Sequence, residues 1–151
     1  MPHIRKQVRE AAKMVFTGLS LGGEPVKVFS GRVAPIGKDD MPCINMLLLD
    51  ESSDWDAAPN IARNGRLIAE GRVIGRKDDL LDDLDELAAL IEARAYAADT
   101  TFDGLLQNIG TPTTQIDLPE PDQGNAQGVG VIRILFPVTY RTPFDNPTTR
   151  A

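Results

Sequence analysis

Acid–base or nucleophilic catalysis needs titratable or nucleophilic side chains placed within reach of one another. This chain carries few. His3 is the only histidine and Cys43 the only cysteine. His3 lies in an N-terminal segment prone to fraying, which works against a Ser–His or Cys–His pair. A zinc centre needs several Cys or His ligands, and the chain has two such residues in total. The carboxylates Asp78, Asp79, Asp82, Asp83, Asp85 and Glu86 are a candidate for a hard cation. They lack the Asp-x-Asp-x-Asp-Gly loop spacing, and they fall where a helix start already explains them by capping and solvation. The run Gly124…Gly128-Val129-Gly130 resembles a phosphate loop only superficially. It precedes a predicted strand, whereas phosphate-binding glycines follow a strand and open a helix. No catalytic, cofactor-binding or metal-ligating residue is therefore assigned, and the chain reads as an assembly protein rather than an enzyme.

The elements that position these residues belong to one domain. A length of 151 residues with 42% hydrophobic residues supports a single core. Aromatic residues make up only 5%, so Leu, Ile, Val, Met and Ala must fill most of it. Cys43 sits in an apolar run with no cationic neighbour in sequence, as expected of a small buried hydrophobe. With one cysteine no internal disulfide forms, which is compatible with a reducing cytoplasm. No signal-peptide pattern and no apolar run near ~20 residues is present, so no membrane span is expected. The net charge of −6 is uneven: residues 1–38 carry seven Lys/Arg against two Asp/Glu, a net of +5, and residues 39–151 carry a net of −11. This asymmetry suits head-to-tail association of copies or binding of charged partners, or it reflects solvated helices of different sign. An acidic total is a poor match for gripping nucleic acid through phosphates.

Periodicity predicts a helix over residues 3–19 with Ile4, Val8, Ala11, Ala12, Val15 and Leu19 inward. A strand follows at 26–33, then a loop at 34–41. The segment Cys43–Asp50 opens just after Pro42 and reads as a strand buried on most of both faces. Residues 51–60 read as a long acidic loop, with Trp55 either anchoring an interface or folding back as a lid. A strand is expected from about Arg66 to Ile74, with a tight turn at Asn64-Gly65 as the alternative. A helix is expected over 79–96, capped by Asp78 or Asp79, with Leu80, Leu81, Leu84, Leu87, Ala88, Ile91 and Ala95 inward. Residues 101–109 read as a short helical turn and 111–127 as a loop. Residues 129–140 form the last strand, which Pro137 marks as an edge or a break. The order α-β-β-β-α-β predicts an α+β fold: a mostly antiparallel sheet with two main helices on one face. The domain is expected to span residues 1–141, and residues 142–151 an extended C-terminal tail.

Several local patterns in order resemble the tail-terminator family of long-tailed bacteriophages, the lambda-type minor tail protein U family. His3-Ile4-Arg5…Val8-Arg9-Glu10-Ala11 resembles the family's opening helix. Phe29-Ser30-Gly31-Arg32 resembles its Phe-Asp-Gly-Arg strand end, with Ser30 in place of Asp. Asp40-Met41-Pro42-Cys43-Ile44-Asn45-Met46 is similar to its Asp-aromatic-Pro-apolar strand start, with Met41 for the aromatic. The strand ending at Ile74, followed by the acidic helix start at Asp79, resembles its strand-to-helix passage. Ile132-Arg133-Ile134-Leu135-Phe136-Pro137-Val138-Thr139-Tyr140 resembles its closing strand. The likeness covers residues 3–141 and departs at 111–127 and after Tyr140.

The resemblance implies a structural virion protein of the tail and neck, assembled in the host cytoplasm. It implies a homo-oligomeric ring, a hexamer, without a cofactor. The ring would cap the head-proximal end of the tail tube, stop tube growth and present the surface that joins the head. Its partners would be the tail tube protein and a neck or head-completion protein, with DNA passing through an acidic lumen without specific binding. The alternative within the same class is a neck or tail-completion adaptor on the portal side. A small enzyme or an acidic regulatory domain is the contrasting class. Met41, Trp55, Arg32, Lys38 and Asp40 are the candidate interface residues, because loops 34–41 and 51–60 would flank the central strand at its two ends.

Overall fold

A computed structural model describes residues 2–55, 59–76, 78–97, 101, 102, 104–119 and 127–151. Helix α1 (Ile4–Phe16) begins at His3, whose Nδ1 accepts the Arg5 N–H at 3.1 Å. Ile4, Val8, Ala12 and Phe16 recur every four residues and are all buried, so one stripe faces the sheet. The helix ends earlier than residue 19, and Phe16 joins the stripe. Leu19 is buried from the connection that follows. A two-stranded ribbon, β1 (Ser20–Leu21) and β2 (Glu24–Pro25), turns at Gly22-Gly23, both at positive φ as a mirror-image two-residue turn requires.

The main sheet has six strands: β3 (Lys27–Ser30), β4 (Cys43–Trp55), β5 (Asn60–Arg76), β6 (Asn108–Ile109), β7 (Thr113–Asp117) and β8 (Gln127–Pro143). Its spatial order is β3-β4-β5-β8, with β6 and β7 both along the far side of β8. Only β3 and β4 run parallel. Helix α2 (Leu80–Ala95) lies between β5 and β6 in the chain. The two helices pack on one face of a mostly antiparallel sheet, so the fold is α+β in the expected order, with short strands added. α1 packs on β3 and β4, α2 on β5 and β8.

Two glycines let α2 settle onto the sheet. A Cβ at Gly71 would stand 2.6 Å from Leu87, and one at Gly130 would stand 2.8 Å from Leu84. Leu80, Leu84, Leu87, Ile91 and Ala95 are buried as expected, whereas Leu81, expected in the same stripe, is exposed. Asp79 occupies the N-cap position without a side-chain capping bond.

The region expected as an acidic loop at 51–60 is strand up to Trp55 and again from Asn60. A bulge between Leu48 and Glu51 hides this. One extra residue reverses which alternate side chains face the helices. Ile44, Met46 and Leu48 point inward before it and Glu51 after it, while Leu49 is 75% exposed. β5 pairs with β8 without interruption from Asn60–Pro143 to Arg76–Gln127, so Asn64-Gly65 is strand rather than turn. β8 is interior, not an edge. The Pro137 carbonyl accepts the Gly110 N–H at 2.7 Å. Its missing N–H therefore faces the junction between β6 and β7, where no ladder acceptor stands. The stretch expected as a helical turn ends in β6, and the loop expected at 111–127 contains β7.

The C-terminal residues are not a free tail. After β8 ends at Pro143 they fold back onto α1: Ile4 N–H donates to the Pro147 carbonyl at 2.9 Å and the Gln7 amide to the Thr148 carbonyl at 2.7 Å.

Candidate interaction surfaces

The sequence-derived interface residues fall into two groups at opposite ends of β4. Twelve residue steps separate Cys43 from Trp55, which is up to ~40 Å of strand. At the Cys43 end, residues 31–41 fold over the uncovered face of the sheet. The Arg32 N–H donates to Asn45 Oδ1 at 3.0 Å, and Asn45 Nδ2 returns a bond to the Arg32 carbonyl at 2.9 Å. This reciprocal pair satisfies Asn45, which is buried in the apolar strand. The Arg32 guanidinium lies over the Phe29 ring, 4.6 Å from its centre, and donates to the Pro35 carbonyl at 2.8 Å and to Asp40 at 3.2 Å.

Asp40 also faces Lys27 at 3.8 Å. The structure thus brings Arg32 and Asp40 together as the frame of the loop. Lys38 is exposed on the short 3-10 helix Lys38–Asp40, and Met41 is half-buried beside Pro42. Sequence reading missed Val33, which is 96% exposed at the crest of this loop.

Trp55 stands at the other end. It is 75% exposed and stacks on Phe144, which is 56% exposed, with ring centres 5.1 Å apart and planes 10° from parallel. A cleft of about 190 Å³ beside the pair is lined by Ser53, Asp54 and Ile61. Trp55 is thus neither a lid on the core nor an isolated side chain. Phe144 carried no signal in the sequence, because it follows the last apolar alternation.

Between these ends, under α1, lies a polar centre that local sequence does not reveal. Glu51 has only 8% of its side chain exposed. It accepts from Arg63 Nη1 at 2.8 Å, from Arg5 Nη1 at 3.0 Å and from the Tyr140 hydroxyl. Burial alone would raise the Glu51 pKa. The hydrogen bonds from Tyr140 and Arg63 and the charges of Arg63 and Arg5 outweigh it and hold the carboxyl below its ordinary value. Burial and then Glu51 push the Tyr140 hydroxyl well up. Burial, followed by repulsion from Arg5 and Arg63, lowers His3, which keeps its capping nitrogen free to accept. These groups bind one another, so their role is to pin α1, β4, β5 and β8 together.

Cys43 is fully buried and its thiol is raised to about 11, chiefly by burial. Arg72, its register partner on β5, partly offsets this without making it a nucleophile. The largest cleft described, about 400 Å³, lies beside the β4 bulge. Four of its polar lining residues pair with one another: Arg66 with Asp50, and Thr139 with Asn64 at 3.0 Å. Among the described residues no group of three or more His, Cys, Asp or Glu is placed to hold a metal ion. No described helix is long and apolar enough to cross a membrane.

The fold and these surfaces define a class: an α+β sheet protein with exposed apolar side chains at both ends of β4. No protein-family model matches the chain, and no curated protein matches it significantly.

Proposed function

We propose that the protein is a non-enzymatic phage tail terminator: a ring-forming subunit that caps the tail tube and offers a second surface to the head. The observation that carries this reading is the separation of two exposed apolar elements along β4. Exposed Val33, with half-buried Met41 beside it, lies at one end, and Trp55 and Phe144 lie at the other. A protein that ends one polymer and docks another structure needs two unlike contact surfaces on one rigid body, and solvent-exposed aromatic anchors dominate such contacts. The ordered strand-end patterns at Phe29–Arg32, Asp40–Met46 and Ile132–Tyr140 support the same family.

The mechanism is geometric. A heterologous contact between copies closes after a fixed number, six in this reading, and leaves one face that matches the tube and one that does not. Tube growth stops at the unlike face. The protein then resides at the tail–neck junction of the virion, and the −11 charge of residues 39–151 suits a lumen through which DNA slides.

Trp55→Asp and Met41→Asp test the reading in a tail-assembly reaction. Both variants should remain folded by circular dichroism, and at least one should give overlong tubes. Tubes of normal length that fail to join heads would instead indicate a neck adaptor. Normal tails and full infectivity with both variants would overturn the reading.

A further inference from the structure

We infer that copies join by extending the main sheet: the β7 edge of one copy pairs with the β3 edge of the next. This rests on the ring reading above and names its contact. In a strand the N–H and C=O of one residue point to the same side. Lys27 and Gly31 donate toward β4, to the Pro42 and Met46 carbonyls at 3.1 and 2.8 Å. Val28 and Ser30 therefore point their backbone groups away from the sheet. On the other side, the carbonyls of Pro137 and Thr139 accept from Gly110 and Gln107, so odd-numbered β8 residues face β6 and β7. By the register of Thr113 with Leu135 and Gln115 with Arg133, Thr114 and Ile116 then point outward.

No hydrogen bond among the described residues takes up the main-chain groups of Val28, Ser30, Thr114 or Ile116. β7 packs substantially on β8 alone, and its outward-pointing residues Thr114 and Ile116 are neither Pro nor charged. The two edges also match each other. They are four and five residues long. Outward-pointing residues on both have side chains on the helix-covered face: Val28 and Ile116 pack against the core there. Pairing them keeps the helices of successive copies on one side.

Charge does not oppose the contact: beside the β3 edge Lys27 and Arg32 are already paired with Asp40, and on β7 Asp117 is paired with Arg133. Joining two different edges is a head-to-tail contact, the kind that closes into a ring.

Proline at an outward position removes the N–H offered to a neighbour and leaves the bonds to the adjoining strand in place; at Ser30 it also removes a hydroxyl 3.5 Å from Arg9 Nε. Thr114→Pro blocks the β7 edge and Ser30→Pro the β3 edge, each leaving the other edge open. In sedimentation at concentrations where the wild-type chain forms oligomers larger than a dimer, each variant alone should be a monomer. An equal mixture of the two should stop at a dimer. On the wild-type chain, hydrogen exchange at the Thr114, Ile116, Val28 and Ser30 amides should slow at least tenfold on assembly. Either variant dimerising alone, variants that assemble like wild type, or unchanged exchange in an assembled protein would overturn the edge pairing and leave the ring standing. A wild-type chain that stays monomeric at every concentration and is absent from tails would overturn both.

Discussion

The two faces of the sheet are built on opposite rules. On the helix-covered face, β5 and β8 present Leu67, Ala69, Ile132, Ile134 and Phe136, all fully buried, with Gly71 and Gly130 as gaps for α2. The opposite face repeats a charged row. Glu70 accepts from Arg72 on its own strand at 3.0 Å and from Arg133 on β8 at 3.0 Å, and Arg133 reaches on to Asp117 of β7. One register step away, Leu47, Ile68 and Leu135 form a half-buried apolar row. The difference separates two tasks: the covered face holds the fold through close packing, and the open face keeps strand register through paired charges that tolerate water.

The largest expected effect tests the covered face. Leu84→Ala and Leu87→Ala should each cost ~2–5 kcal/mol in denaturant unfolding, since both side chains are fully buried against strand glycines that cannot fill the void. On the outer side of the same helix, Asp82→Ala with Asp83→Ala should change stability little, and added calcium or magnesium should not raise the melting temperature. A strong metal-dependent rise would show that the acidic helix start is a binding site.

Glu51 sharpens the comparison, because it is a carboxylate on the covered face. Glu51→Ala leaves Arg63 without its buried partner and Tyr140 without an acceptor, and should cost about 3 kcal/mol. The pH dependence follows from the direction of the shifts. The Glu51 folded pKa lies below its ordinary 4.5, so its stabilisation is complete above that value and is lost as pH falls through the folded pKa. His3 is also lowered, from 6.5. Its unfolded form takes up a proton first, so a loss of stability begins on acidification below that value. Urea midpoints should fall slightly below pH 6.5 and more steeply below pH 4.5; Glu51→Gln should make the second fall shallower and, by removing the one charge that raises His3, deepen the first.

Much of the covered face was legible in the sequence, because four-residue recurrence marks α1 and Leu spacing marks α2. The closing strand was legible from its alternation, and Cys43 from its apolar neighbours. What escaped has definite causes. The β4 bulge reverses the alternation at Leu49, which turned a strand into an expected loop. β7 is Thr-Thr-Gln-Ile-Asp, an edge strand with one apolar residue and no periodic signal. The Glu51 centre joins Tyr140 to it across 89 positions of sequence, and neither residue predicts the other. Trp55 was visible as a contact candidate from its type, but its stacking partner Phe144 depends on the meeting of β5 and β8 at Asn60 and Pro143. Arg32 and Asp40 were visible as charged loop residues, and their joint hold on the loop was not.

The open face should respond on a smaller scale, in two steps that separate burial from charge. Glu70→Gln keeps the shape but removes the charge facing Arg72 and Arg133. Glu70 is buried, so the loss should be about 1–2 kcal/mol. Asp50 and Arg66 form a two-pronged pair on the same face, but their side chains are 47% and 60% exposed. Solvent screening and the entropy of holding two long side chains then offset most of the attraction, and Asp50→Asn should cost about 0.5 kcal/mol or less. Unfolding at low and high salt gives a second reading: the Asp50 effect should vanish at 1 M salt, where the Debye length falls to about 3 Å, and the Glu70 effect should persist. If both substitutions cost the same and fade together with salt, Glu70 is no more than a surface charge. The open face would then contribute nothing to register beyond its backbone ladder.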